Sequence, residues 1–417
     1  MIDRPLRFCM ITTFYPPHNF GGDGVFVHRL SNELARRGHH VEVVHCLDAY
    51  RLSAPLPAQG YHDHPNVTVH GLKSRFGFLS PLVTHQTGHP GLKSGRIRDV
   101  LSQGFDVIHY HNISLVGGPK VLEYGRGVKL YTMLDYWLVC PTNVMFRFNR
   151  APCRRPHCLS CSLVYKRPPQ WWRYLGVMQK AIKHVDAFLA PSRFSETLHR
   201  QMGFGGPIVH LPYFTASDER PPDPAEAAAE PSRPPYFLFV GRLEKLKGVQ
   251  TLIPIFRDYA KAQLWIAGTG SYESTLRRLA RSVDNVRFLG HVSGPELHRL
   301  YRRALGVIVP SICYDAAPLV IFEAFRHGTP VIVRNLGGMP EFVEETGGGV
   351  VYDTDGELVA AMDRLYADPS ARDAMGRRGY VGSREKWSAE MYMNRYLGLI
   401  RQLEARGPRE RIETAER

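Results

Sequence analysis

The chain has 417 residues, 44% hydrophobic and 22% charged, an ordinary globular composition in a chain too long for one hydrophobic core. No run approaches the roughly 20 apolar residues that span a bilayer, which excludes a membrane-crossing helix. The formal net charge of +14 is uneven: residues 1–214 hold 25 Lys and Arg against 12 Asp and Glu, and residues 215–417 hold 28 against 27.

The first element is the apolar run Phe8 to Thr13, suited to a buried parallel strand. No apolar stretch ending in a small-residue cleavage site precedes it, so the expected compartment is the cytoplasm. A loop rich in Pro and Gly, from Pro16 to Gly24, feeds a helix with Val27, Leu30 and Leu34 on one face and Gly38 as its stop. VEVVHCL is the next strand, and DVIHYH near 106, KLYTML near 129 and AFLAPS near 187 continue the series. Strands alternating with helices predict a parallel, doubly wound sheet. Residues 215–235 form a proline-rich, solvated linker, after which the pattern restarts with YFLFVGR, AQLWIAG, NVRFLG, GVIVPS, TPVIVR and GGGVVYD.

The expected organisation is therefore α/β, with two Rossmann-like doubly wound domains facing across a cleft. The first covers 1–214 and carries a basic, cysteine-rich insertion at about 140–175. The linker is 215–235 and the second domain 236–385. A helix over 386–405 is expected to cross back to the first domain, with a disordered tail over 406–417.

The densest chemistry lies between 310 and 341. Asp315 and Glu323 stand eight residues apart, and carboxylates accept paired hydrogen bonds from the vicinal hydroxyls of ribose and hexose. A helix opening at Leu319 and Val320 turns backbone N–H groups toward an anion. Taken alone, the two acids also read as a helix cap and a solvent-facing side chain. Arg242 and Lys247, in the glycine-flanked segment GRLEKLKG, are typed to clamp a diphosphate and neutralise charge on a leaving group. Gly268 and Gly270 follow the next strand, and Gly337 and Gly338, with Glu341, follow a later one. All of these fall at the expected C-terminal strand ends, where open α/β sheets bind ligands.

Pro310-Ser311, Asp315, Pro318, Glu323 and Gly328-Thr329-Pro330-Val331 together resemble glycosyltransferase family 4, a group of retaining enzymes with the GT-B fold. The resemblance spans roughly residues 7–390. It implies that Asp315 touches the donor hexose, that Glu323 grips the ribose, and that Arg242 and Lys247 bind the diphosphate. It also implies that Gly21 and Gly22 form a loop near the diphosphate and acceptor. Two positions depart from the family pattern: Asp315 stands where Glu is usual, and Leu134 precedes Asp135 where His is usual. His109 and His111 are expected to be ordinary strand-end histidines.

Of seven cysteines, Cys9, Cys46 and Cys313 read as small core residues. Cys140, Cys153, Cys158 and Cys161 crowd into 22 residues, and four reduced thiols at such spacing suit a structural zinc site; unligated thiols and redox chemistry are the alternatives. No acid occurs between Asp135 and Asp186, while Trp171, Trp172 and Tyr174 lie beside Lys166, Arg167 and Arg173. Aromatic rings among cations suit the interface of an anionic membrane, here its inner face; two core tryptophans are the alternative. No recognition helix or stacking platform suggests a nucleic-acid partner.

The resulting expectation is a glycosyltransferase that moves a hexose from a nucleotide diphosphate sugar to a glycan or lipid-linked glycan acceptor, in cell-surface polysaccharide synthesis and without a catalytic metal. The alternative, favoured by Leu134, is a catalytically impaired protein of the same fold that binds sugar nucleotides or acts as a scaffold.

Overall fold

The computed structural model describes residues 4–52, 60–215 and 234–407. It divides into two compact units: one runs to Pro212 and includes the residues from Tyr392 on, and the other runs from Tyr213 to Met391. Most of the expected linker (216–233) and the tail from 408 lie outside the described residues.

In the first unit the strands are β1 (Arg7–Ile11), β2 (His40–Cys46), β3 (Val67–Leu72), β4 (Val107–Tyr110) and β5 (Val128–Thr132). A short antiparallel pair follows, β6 (Phe146–Arg147) with β7 (Ala151–Pro152), then β8 (Ala187–Ala190) and β9 (Ile208–His210). Seven of these form one sheet in the order β3-β2-β1-β4-β5-β8-β9, with every pairing parallel. β1 sits inside this sheet because, after Arg7 at its start, nothing on it needs water: Phe8, Cys9, Met10 and Ile11 are all fully buried. The helix Gly22–Arg36 follows β1 and buries Phe26, Val27, Leu30 and Leu34. β3 and β9 were not foreseen. They are the outer strands of the sheet, and β3 exposes Thr68 and Val69.

The second unit repeats the plan with β10 (Tyr236–Val240), β11 (Gln263–Ala267), β12 (Val286–Gly290), β13 (Gly306–Val309), β14 (Val331–Arg334) and β15 (Gly349–Tyr352). Their order is β12-β11-β10-β13-β14-β15, again parallel throughout. The helix Pro369–Trp387 ends with Trp387 packed on Phe322 and Phe342, at ring separations of 5.1 and 5.4 Å.

The backbone turns at Ser388 into the helix Ala389–Ala405, whose residues from Tyr392 on belong to the first unit. There the Tyr396 ring stacks on His109 at 5.4 Å, and its hydroxyl lies 2.8 Å from His109 Nδ1. His109 Nε2 lies 2.8 Å from the Thr132 hydroxyl, so both ring nitrogens have partners. Burial, with His111 alongside, holds the His109 pKa well below the ordinary value, and the ring is neutral.

The two adjacent tryptophans part company. Trp172 is buried at 3% exposure, while Trp171 is 58% exposed, so neither the all-core nor the all-surface expectation describes the pair. Among the described residues no helix is long and apolar enough to cross a membrane.

Replacing Tyr396 by Phe keeps the ring packing but strips His109 Nδ1 of its partner in a fully buried setting. The expected cost is about 1–3 kcal/mol, read as a lower denaturation midpoint for the first unit. An unchanged midpoint would show that this bond does not pin the helix.

Candidate functional site

In the second unit the chain winds outward from β10 through β11 to β12, then returns to β13 on the other side of β10. Loops leaving β10 and β13 consequently diverge at the C-terminal edge of the sheet, the place where open parallel sheets take ligands. Four loops interlock there. Gly241 N donates to the Ala267 carbonyl (3.0 Å) and Leu243 N to the Thr269 carbonyl (2.9 Å), tying the loops after β10 and β11. Ile312 N donates to the Leu246 carbonyl at 2.9 Å across the reversal. Gly338 N donates to the Asp315 carbonyl at 2.8 Å, joining the loops after β13 and β14.

Glycine is required where these loops touch. Gly248 has φ +77°, and a Cβ there would strike the Pro310 carbonyl. Gly337 has φ +69°, and its Cβ would lie 2.7 Å from the Asp315 oxygen and 2.9 Å from its nitrogen. Gly268 and Gly270 likewise press against the Gly241 and Leu243 carbonyls.

On this frame Lys247 Nζ lies 2.7 Å from Asp315 Oδ1 and 3.0 Å from Oδ2, in a partly buried ion pair. Burial works against the lysine charge, but the Asp315 carboxylate, helped by Cys313 nearby, outweighs it and the Lys247 pKa is raised. Arg242 Nη1 lies 2.9 Å from Glu244 Oε1, with the arginine exposed and the glutamate half-buried. Each expected diphosphate cation therefore already has a carboxylate beside it. The helix Leu319–Arg326 opens with no side-chain cap, leaving the backbone N–H groups at Leu319 and Val320 to other acceptors. Glu323 Oε2, one turn on, accepts the Tyr301 hydroxyl at 2.9 Å. Glu341 lies in the first turn of the helix Met339–Thr346, directly after Gly337 and Gly338.

Arg242, Lys247, Asp315, Glu323, Leu319, Val320 and the four glycines thus share one sheet edge. Sequence reasoning missed two partners. Glu244 was legible, lying two residues from Arg242 in the same loop. Tyr301 was not, because only the fold brings its hydroxyl to Glu323.

In the first unit, Gly21 (φ +76°) and Gly22 are exposed and start the helix Gly22–Arg36 on the β1 side of the same kind of reversal, with β4 across from it. Leu134 is 9% exposed. Asp135 accepts hydrogen bonds from Asn112 Nδ2 (3.1 Å), Asn143 Nδ2 (2.9 Å) and Trp137 N (2.9 Å). Burial raises its pKa, against the pull of those donors. His109 and His111 are fully buried, and burial takes His111 down to about 3.

The four clustered cysteines line one cavity with Met145, Phe146 and His157. Phe148 N donates to Cys161 Sγ at 3.3 Å. Burial and the neighbouring thiols push Cys153 up to about 11, so it is protonated at neutral pH. Among the described residues no group of three or more His, Cys, Asp or Glu side chains is placed to hold a metal ion. The four thiols share one cavity, but no assembled ligand set for the expected zinc is found among the described residues.

Two outcomes follow for the second-unit site. Gly290 (φ +70°) has open space around it, so Gly290→Ala costs about 1–2 kcal/mol of backbone strain alone; Gly337→Ala adds a backbone collision and costs more. Equal falls in unfolding temperature would deny the close approach. Because the Lys247 pKa is raised, the stability from its pair is complete below the ordinary lysine value of 10.5 and lost only as pH climbs through the raised value. Asp315→Asn should lower the denaturation midpoint at neutral pH, with the gap from the native chain narrowing as pH rises above 10.5; a gap unchanged at alkaline pH would assign the loss to packing.

Two family models match the chain: Glycosyltransferase Family 4 over residues 20–219 and Glycosyl transferases group 1 over residues 224–381. Glycogen synthase of Mycobacterium tuberculosis is 26% identical, covering 99% of both chains. A glycosyltransferase of Methanocaldococcus jannaschii is 35% identical over 159 residues, which span 36% of this chain and 40% of that protein. Among solved structures, sucrose-phosphate synthase from Thermosynechococcus elongatus is similar at a TM-score of 0.76 and 21% identity, over 97% of this chain and 100% of that one. Anabaena HepE in complex with UDP-glucose is similar at 0.64 and 14% identity, over 95% and 100%. With family models matched over most of its length and its fold shared with these solved structures, the chain belongs to glycosyltransferase family 4 and is a glycosyltransferase of the GT-B fold.

Proposed function

We propose that this glycosyltransferase moves a hexose from a nucleotide diphosphate sugar to a glycan or lipid-linked glycan acceptor, with retention of anomeric configuration. The observation that carries the reading is the Lys247–Asp315 pair at the strand-order reversal, flanked by loops that meet through Gly248, Gly268, Gly270 and Gly337. Arg242 and Lys247 take the diphosphate, exchanging or sharing their carboxylate partners as the anion arrives. The uncapped N–H groups at Leu319 and Val320 add a positive helix end. Glu323, held by Tyr301, accepts from the ribose hydroxyls. Asp315 and the Gly337–Glu341 loop face the hexose. In the first unit the exposed helix start at Gly21 and Gly22 serves an anionic part of the substrates. Departure of the diphosphate is the difficult step, and fixed cations and backbone donors stabilise the charge that develops on it. A UDP-glucose complex of a protein with the same fold makes a nucleotide sugar the donor class of choice.

One observation favours the second reading, a donor-binding protein impaired in transfer. Leu134 is apolar and nearly buried, and His109 and His111 are fully buried, so none of the three offers an imidazole to the sugar.

Thermal-shift measurement against UDP-, GDP- and ADP-sugars, followed by transfer and hydrolysis assays with whichever donor stabilises the chain, separates the two. Turnover is the expected result; tight donor binding without turnover would select the impaired reading, and no stabilisation by any donor would remove both. Lys247→Ala should lower turnover by about 10²–10³-fold, the usual effect of removing one preorganised charge-stabilising group, while far-UV spectra stay native. Unchanged turnover would take Lys247 out of the mechanism.

A further inference from the structure

Among the described residues, ten of the seventeen large hydrophobic side chains left exposed fall in two short segments of the first unit, 76–82 and 159–175. The fold sets the helix that carries much of the first segment against the end of the second. The helix Leu79–Thr87 packs against the 3₁₀ turn Trp171–Leu175. Trp172 is the fastening: its Nε1 donates to the His85 carbonyl at 2.9 Å, and its ring meets Trp137 at 5.8 Å and the Arg173 guanidinium at 4.6 Å. Arg173 in turn donates to the carbonyls of Trp137 (2.7 Å) and Leu138 (3.3 Å). On this anchored base the other residues of the turn point outward, with Trp171 58%, Tyr174 59% and Leu175 73% exposed. Phe76, Phe78 and Leu82 are exposed at 59%, 65% and 43% on the neighbouring segment.

The two stretches of chain that build this surface carry charge of one sign, with the buried Asp48 against them, accepting from Ser74 N at 2.9 Å. Neither residues 64–98 nor residues 136–185 contain an Asp or Glu, yet together they hold fourteen Lys and Arg. Lys73, Arg75, Lys166 and Arg167 are exposed beside the apolar side chains.

We propose that this face docks on an anionic lipid bilayer, with Trp171, Tyr174 and Leu175 seated at the headgroup level beside Phe76 and Phe78. An indole and a phenol, each apolar in body and polar at the tip, suit that boundary, and the cations add electrostatic attraction that salt screens. A protein partner of ordinary composition would not call for two acid-free segments at once. A nucleic acid would leave the aliphatic Leu82 and Leu175 without a role. The inference goes beyond sugar transfer and stands or falls separately from it, since vesicle binding needs no turnover.

Sedimentation of the full chain with phosphatidylcholine vesicles, and with vesicles also containing phosphatidylglycerol, at low and high salt, is the test. Binding to the anionic vesicles alone, weakened by salt, is expected. Trp171→Ser/Tyr174→Ser/Leu175→Ser and Arg75→Glu/Lys166→Glu change only exposed side chains, and each should weaken binding at least about tenfold without shifting the unfolding temperature appreciably. Three outcomes would overturn the proposal: equal, low binding to both vesicle types; anionic binding that neither variant weakens; and self-association in velocity sedimentation, abolished by the triple variant, with no vesicle binding.

Discussion

The second unit is organised around a reversal of strand order and the ion pair that spans it. Because the sheet winds outward in both directions from β10, the loops after β10 and β13 part at the C-terminal edge. Lys247 reaches in from one loop and Asp315 from the other, meeting at 2.7 Å. Neither charge suits this partly buried place alone. Desolvation works against the ammonium, and the carboxylate restores it. Such a pair contributes little net stability over an apolar one, because the cost of removing two ions from water offsets most of their attraction. Its value here is positional: a cation is held charged at a fixed point on the sheet edge.

The surrounding glycines turn this electrostatic arrangement into a rigid one. Gly248 lets the loop after β10 rest on the Pro310 carbonyl, and Gly337 lets the loop after β14 rest on the backbone of Asp315. The position of the Asp315 side chain is thereby set by three strands at once. A carboxylate one methylene shorter than the family's usual Glu has less reach of its own, so the backbone has to bring it to its partner. The close approach at Gly337 is the kind of contact that does so.

How much of this was legible in the sequence depended on which physical signal each part emits. Buried parallel strands read as continuous apolar runs, as β10, β11, β13 and β14 of the second unit do, and its partly exposed outer strands β12 and β15 were still legible from their short apolar stretches. β3 and β9 were missed: β3 interrupts its apolar residues with the exposed Thr68 and the half-buried His70, and β9 is only three residues long. Residue types at strand ends located Arg242, Lys247, Asp315 and Glu323, yet their pairing was invisible: Lys247 and Asp315 are 68 residues apart, and Tyr301 meets Glu323 only through the packing of two helices. Cysteine spacing correctly implied a common neighbourhood but carries no information on whether sulfur atoms converge. The tryptophan pair misled for a geometric reason. A 3₁₀ turn advances about a third of a circle per residue, so adjacent side chains must leave in different directions, one to the core and one to the surface.

The Leu134-Asp135 pair shows why retention of a familiar acid says little about catalysis. Asp135 binds Asn112 beyond β4, Asn143 at the start of the cysteine-rich segment and the Trp137 backbone, so it ties three stretches of chain together. A carboxylate so engaged, with burial pushing its pKa up, would be needed for folding whether or not sugar is ever transferred. Loss of the preceding imidazole leaves that framework intact, because Leu134 fills its place as a nearly buried apolar side chain. The groups proposed to hold the donor belong to the other unit. On the proposed reading, the apolar side chain at 134 bears on transfer, while the cations and acids assigned to the donor keep their places in the second unit.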